Sequence, residues 1–207
     1  MLIPLLISML TLPFNIQSVK ASGTIYIRAD GRIDPPTAPI STVDNVTYTF
    51  TGNIYDSIVV ERDNIVIDGA NYTLQGTGSE IGIDLLERSN VTAKNLEIKA
   101  FDYGIELRSS LDNDIVGNNI TNNTFLGIFL ENSSNNLISG NNITNNKVGI
   151  YLLESSDCNR IVGNNITNNV RGTIFEQSFS NSIVVNRIAN NEYGIAFYYS
   201  SSDNSIH

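Results

Sequence analysis

From Asn90 onward this chain repeats itself every 22 or 23 residues. The repeat reads N-x-I-x-G-N-N-I-T-N-N, then a short variable stretch, then G-I-x-L. Three copies are nearly identical: NDIVGNNITNN from Asn113, NLISGNNITNN from Asn136 and NRIVGNNITNN from Asn159. A looser copy, NSIVVNRIANN, starts at Asn181, and a fifth opens at Asn204. The glycine of the second half returns at Gly82, Gly104, Gly127, Gly149, Gly172 and Gly194, in steps of 22, 23, 22, 23 and 22. A period of this size means a solenoid, in which each repeat is one coil that buries its apolar side only by stacking on its neighbours.

Leucine-rich repeats share the period, so the residue types must decide. The apolar positions here are mostly Ile and Val, which are β-branched and favour strands. The residues between them are Asn, Gly, Ser and Thr, which favour turns and oppose helix interiors. No window between Ser22 and His207 has helical apolar spacing. The sequence therefore predicts an all-β fold: a single-stranded parallel β-helix of about six coils, each made of short strands separated by tight turns. Right-handedness is expected, because strand–crossover–parallel strand connections nearly always have that hand.

Spacing assigns the faces. In G-I-x-L the two apolar residues sit two apart and point inward together. The inward stacks are Ile83, Ile105, Ile128, Ile150 and Ile195 beside Leu85, Leu107, Leu130, Leu152 and Phe197. Ile98, Ile120, Ile143, Ile166 and Ile188 form a further stack, and Ala93, Ile115, Ile138, Ile161, Ile183 and Ile206 another. Asn118, Asn141, Asn164 and Asn186 fall in one column. Asn tolerates the left-handed conformation that a corner often needs, and its amide can donate and accept between coils, so the column is expected to be a structural ladder at a left-handed corner. The Asn-Asn pairs after Thr should mark the next corner.

The 207 residues divide into three parts on this reading. Residues 1–21 form a signal peptide, apolar from Met1 to Phe14 and ending in Val19-Lys20-Ala21, although no Lys or Arg precedes the apolar run. That run is too short, and too broken by Pro4 and Pro13, to be a membrane span. Residues 22–47, with a strand at Ile25–Arg28 and the Pro-rich stretch Asp34–Pro39, are placed to cap the solenoid. Residues 48–207 form the β-helix, which stops in mid-coil and is expected to continue in a longer protein. The destination is secretion or the cell surface.

The formal charge of −9 repels phosphate backbones and argues against a nucleic-acid partner. The single Cys158 excludes an internal disulfide and a cysteine-based metal site; it sits in a turn column with Asp112, Asn135, Ser180 and Asp203. Export gives meaning to eight N-x-S/T sequons, at Asn45, Asn71, Asn90, Asn119, Asn122, Asn132, Asn142 and Asn165. The repeat generates three of them for structural reasons, so glycosylation is expected rather at Asn45, Asn71 and Asn132.

The coils from about Tyr48 to His207 resemble the right-handed parallel β-helix (pectin-lyase-like) superfamily. N-x-I-x-G-N-N-I plus G-I-x-L is most similar to NosD-type repeats of bacterial and archaeal surface and periplasmic proteins. The opening Ile65-Val66-Ile67-Asp68-Gly69 also looks like the first coil of that group. The superfamily includes pectate lyases, polygalacturonases, epimerases, phage tailspikes and non-enzymatic adhesins, so the resemblance implies contact with polysaccharide or cell-envelope components. The NosD resemblance also implies copper. Copper wants Cys, Met or His, and after the signal the chain has Cys158, His207 and no Met, so no metal site and no cofactor are expected.

An active site for polysaccharide cleavage needs paired acids, or an acid and a base, on one outward face. Asp84 and Glu106, with Arg108 and Glu131, form the one acid cluster the columns bring together, and the bland reading is a solvated charged face. The several-Asp-plus-His set of polygalacturonases and the D-P-H-D motif of epimerases are both missing. The other outward feature is aromatic. Phe129 and Tyr151 are neighbours in one column and Tyr198 follows in another, and flat rings on a rigid face suit the apolar faces of sugars. The leading expectation is an exported β-helix with a structural or carbohydrate-contacting role. The alternative is a lyase, hydrolase or epimerase acting in further coils or at the Asp84–Glu106 face.

Overall fold

The computed structural model describes residues 23–207; the expected signal peptide lies outside them. No helix occurs among the described residues. The chain winds through three sheets in turn, contributing one strand to each per coil. The first sheet holds the longest strands, among them Ile81–Leu86, Tyr103–Arg108, Leu126–Glu131, Val148–Leu153, Arg171–Glu176 and Tyr193–Tyr198. The second and third use three-residue strands such as Leu137–Ser139 and Asn142–Thr144. The third sheet has six strands, one from each complete coil, and partial coils at either side bring the solenoid to about seven turns.

Register follows the sequence columns. Ile105 pairs with Ile83 on one side and Ile128 on the other, and Ile120 with Ile98 and Ile143. These side chains are fully buried and form one continuous core from Ile25 to Ile183. Thr173 interrupts the Ile105–Ile128–Ile150 stack: it is 1% exposed, and its hydroxyl has no hydrogen-bond partner.

The N-terminal segment does more than cap. Thr24–Ile27 pairs in parallel with Ser57–Val60 and so is itself a rung of the long-strand sheet. The capping is done by two short antiparallel strands, Ile33–Asp34 against Tyr26–Ile27 and Ile40–Ser41 against Thr49–Phe50. They occupy backbone edges that would otherwise be open to other chains. Arg28 ties this segment down through Asp34 and Glu61.

The corners carry three asparagine ladders and one of serine. The expected ladder, Asn118–Asn141–Asn164–Asn186, is present and buried except at its last member. Parallel ladders run through Asn113, Asn136, Asn159, Asn181 and Asn204, and through Asn123, Asn146, Asn169 and Asn191. Ser110, Ser133 and Ser156 link backbone N–H to hydroxyl at a fourth corner. One detail differs from expectation. The left-handed residue is the one before the ladder asparagine: Gly117, Gly140 and Gly163 have φ of 66°, 62° and 64°. Glycine takes that conformation without a Cβ clash, which frees the following Asn to turn inward. The last member of this column is Val185, at φ 55° and with its side chain in solvent.

The other glycine column is steric. A Cβ on Gly104 would lie 2.6 Å from the carbonyl oxygen of Gly127 and 2.9 Å from Ile120. The same contact recurs at Gly127 and Gly149, so G-I-x-L needs its glycine for coil-on-coil approach. In the Cys158 column, Asp112, Asn135, Cys158, Ser180 and Asp203 are all left-handed, at φ 56° to 59°.

Candidate functional site

The outward face of the long-strand sheet is where the candidate residues meet. The Gly-plus-two column runs Asp84, Glu106, Phe129, Tyr151, Ile174, each paired with the next. This face is not uniformly solvated. Leu126, Phe129, Val148 and Ile174 form a second, small apolar cluster outside the coil, with Tyr103, Phe125, Tyr151 and Leu153 packed against it. Phe129 is 5% exposed, its ring tilted against Tyr103 and Tyr151 at centroid distances of 5.6 Å. Of the three aromatic residues expected to touch sugar, Phe129 is thus closed off, Tyr151 is half-buried and Tyr198 is exposed.

The acid cluster assembles as the columns imply. Arg108 Nη2 lies 3.0 Å from Glu106 Oε1 and its Nε 2.9 Å from Glu131 Oε2, bridging two coils. Asp84 turns back to accept from the Leu86 N–H at 2.9 Å. The expectation of a solvated charged face fails at Glu106, which is only 2% exposed. Its Oε1 faces Arg108 without the alignment of a hydrogen bond. Burial pushes the Glu106 carboxyl up to about 7; Arg108 opposes the shift, and Asp84 and Glu131 add to it. A carboxyl of this kind has a proton to give or take near neutrality, but its burial leaves no room for a substrate beside it.

An open groove of about 330 Å³ lies further along the same face, between Phe125, Tyr151, Arg171, Glu176, Tyr198 and Tyr199. The Tyr151 hydroxyl donates to Glu176 Oε2. Burial, then that hydrogen bond, raises the Tyr151 phenol well above its ordinary range, so it stays protonated and acts as a donor. Arg171 stands over the Tyr193 ring at 5.8 Å, and Lys147 over Phe125 at 4.7 Å. A second cavity of about 690 Å³ sits at the next corner, between Asn132, Glu154, Gln177 and Tyr199. Tyr199 borders both. The arrangement offers rings for apolar faces and charged donors and acceptors for hydroxyls and carboxylates.

Sequence reasoning left out Arg171 and Phe125. Arg171 could have been found by the register rule, since it occupies the position before the repeat glycine, in the column of Tyr103, Leu126, Val148 and Tyr193. Phe125 lies in an irregular turn, where no period places it.

A family model described as "Periplasmic copper-binding protein (NosD)" matches residues 41–207. The chain belongs to the NosD family. Its coils are those of a right-handed parallel β-helix. No curated protein matches its sequence significantly. Among solved structures it is similar to the periplasmic alginate epimerase AlgG, at 21% identity and a TM-score of 0.62, over 70% of this chain and 39% of that one. It is also similar to the enzymatically active domain of tailspike protein 2 of bacteriophage CBA120, at 16% identity and a TM-score of 0.53, over 88% of this chain and 34% of that one. This NosD chain therefore spans about two fifths of the epimerase and one third of the tailspike domain; the likeness is one of fold.

Copper, named in the family description, can be tested against the side chains. Among the described residues no three His, Cys, Asp or Glu side chains stand close enough to hold a metal ion. Their soft donors are Cys158, exposed at a left-handed turn, and His207. The described residues do not fit a copper centre.

Proposed function

We propose that this NosD-family chain is an exported β-helix that holds polysaccharide on the outward face of its long-strand sheet, as a binding rather than a bond-breaking surface. The groove between Tyr151 and Tyr198 carries the reading. It combines half-buried and exposed rings with Arg171 and Glu176 on a rigid sheet, the composition expected of a pre-formed carbohydrate site. The periplasmic description of the family supports location outside the cytoplasm. The alginate epimerase and the tailspike, both built on this fold, support a glycan as the partner. The one carboxyl tuned near neutrality, Glu106, is buried outside the groove, which favours binding over turnover.

The test is a glycan array with the purified protein, followed by reducing-sugar and unsaturated-product assays on every glycan that binds. Binding without product supports the proposal; turnover that disappears in Glu106→Gln would overturn it.

A further inference from the structure

The eight sequons divide by whether the side-chain amide, through its nitrogen or its oxygen, is held by another side chain. On the outward face of the third sheet, Asn119, Asn142 and Asn165 form a ladder of their own: Asn142 Nδ2 donates to Asn119 Oδ1, and Asn165 Nδ2 to Asn142 Oδ1, both at 2.7 Å. Arg187 ends the row on Asn165 Oδ1 at 3.0 Å. Sugars on these residues would break the row, and they would stand one strand spacing apart, about 4.8 Å, too close for branched glycans side by side. Asn90 Nδ2 is likewise engaged by Asn64 at 2.9 Å, and Asn122 Nδ2 by Thr121 at 3.0 Å.

Asn45, Asn71 and Asn132 differ. All three are exposed, none has a side-chain hydrogen bond to a described residue, and each stands at a left-handed turn, with φ of 55°, 64° and 49°. Thr47 and Thr73 of the first two sequons, and Ser134 of the third, are all partly accessible. We propose that Asn45, Asn71 and Asn132 are the N-glycosylated positions of this protein, and that the repeat-borne NIT sequons stay bare. The donor is a lipid-phosphate-linked oligosaccharide. Nδ2 bonds to its anomeric carbon, the lipid phosphate leaves with the electron pair of the broken C–O bond, and Nδ2 loses one proton. The three positions stand at separate turns, before Thr47–Phe50, after Ile65–Asp68 and after Leu126–Glu131. The glycan on Asn132 would stand at the mouth of the 690 Å³ corner cavity, beside the carbohydrate groove.

The inference rests on export, and the two can fail separately. The experiment is peptide mapping by mass spectrometry of the full chain recovered from its native envelope fraction, beside an Asn45→Asp, Asn71→Asp, Asn132→Asp variant. Sugar mass on those three peptides, absent from the Asn119, Asn142 and Asn165 peptides and lost in the variant, is expected. An exported protein with no sugar at all, or with sugar on Asn142 or Asn165, overturns the assignment and leaves export standing. Recovery of the protein only from the cytoplasm overturns both.

Discussion

Asn141 is bound twice to one atom of Asn164: its Nδ2 and its backbone N–H both lie 2.9 Å from Asn164 Oδ1. The other Nδ2 hydrogen goes back one coil to the Ile115 carbonyl at 2.8 Å, and Asn141 Oδ1 accepts from Asn118 N–H and Nδ2. Every donor and acceptor of the amide is used, in a residue 1% exposed. Asn141→Ala strips Asn118 of an acceptor for two donors at once and should cost about 3 kcal/mol. Thr144→Ala, on the outward face without a side-chain hydrogen bond, should cost under about 0.5 kcal/mol. Urea unfolding of the two variants compares them directly, and equal costs would refute the ladder.

The two glycine columns should respond differently to the same change. Gly127→Ala forces a Cβ to 2.6 Å from the Gly149 carbonyl oxygen and should prevent the coils from closing. Gly140→Ala meets nothing within 4 Å and faces only its left-handed φ of 62°, a cost of about 1 kcal/mol. Val185→Gly is the converse, replacing an exposed β-branched residue at φ 55°, and should stabilise by up to about 1 kcal/mol. Thermal unfolding gives the order of the three.

These columns also show what was legible. Strand faces, the Asn118 ladder and the coil count follow from a period that fixes position modulo one turn. The left-handed residue was expected at Asn118 and is found at Gly117, because both residue types tolerate the conformation and only the backbone says which one uses it. The Asp84–Glu106–Arg108–Glu131 grouping was readable from register. The burial of Glu106 and Phe129 was not: alternation tells which side a residue points to, whereas cover from Tyr103, Leu126 and Val148 comes from packing between coils outside the core.

Thr173 is a polar break in an apolar stack, with a buried hydroxyl and no partner. Thr173→Val keeps the shape and removes the unpaired group, and should raise stability by about 1 kcal/mol. An unchanged or lower unfolding midpoint would contradict the packing described.

Glu106 should make stability fall with pH. Its carboxyl is raised from an ordinary value near 4.5 to about 7 in the folded chain. Between those values the unfolded state binds fewer protons than the native state, so stability declines as pH rises through the interval. Glu106→Gln removes that slope, so the variant should gain on the wild type from pH 5 to pH 8. Parallel curves would show that Glu106 is not held near neutrality.

The groove of Tyr151 and Tyr198 is the centre of the functional account, and calorimetric titration with the best array ligand, run with product detection in the same solution, tests it most directly. The account expects saturable binding with no product, weakened roughly 3- to 10-fold by Tyr198→Ala, in keeping with about 1 kcal/mol for a stacked ring. Binding that Tyr198→Ala leaves untouched, or product accumulating with the wild-type chain, would contradict it.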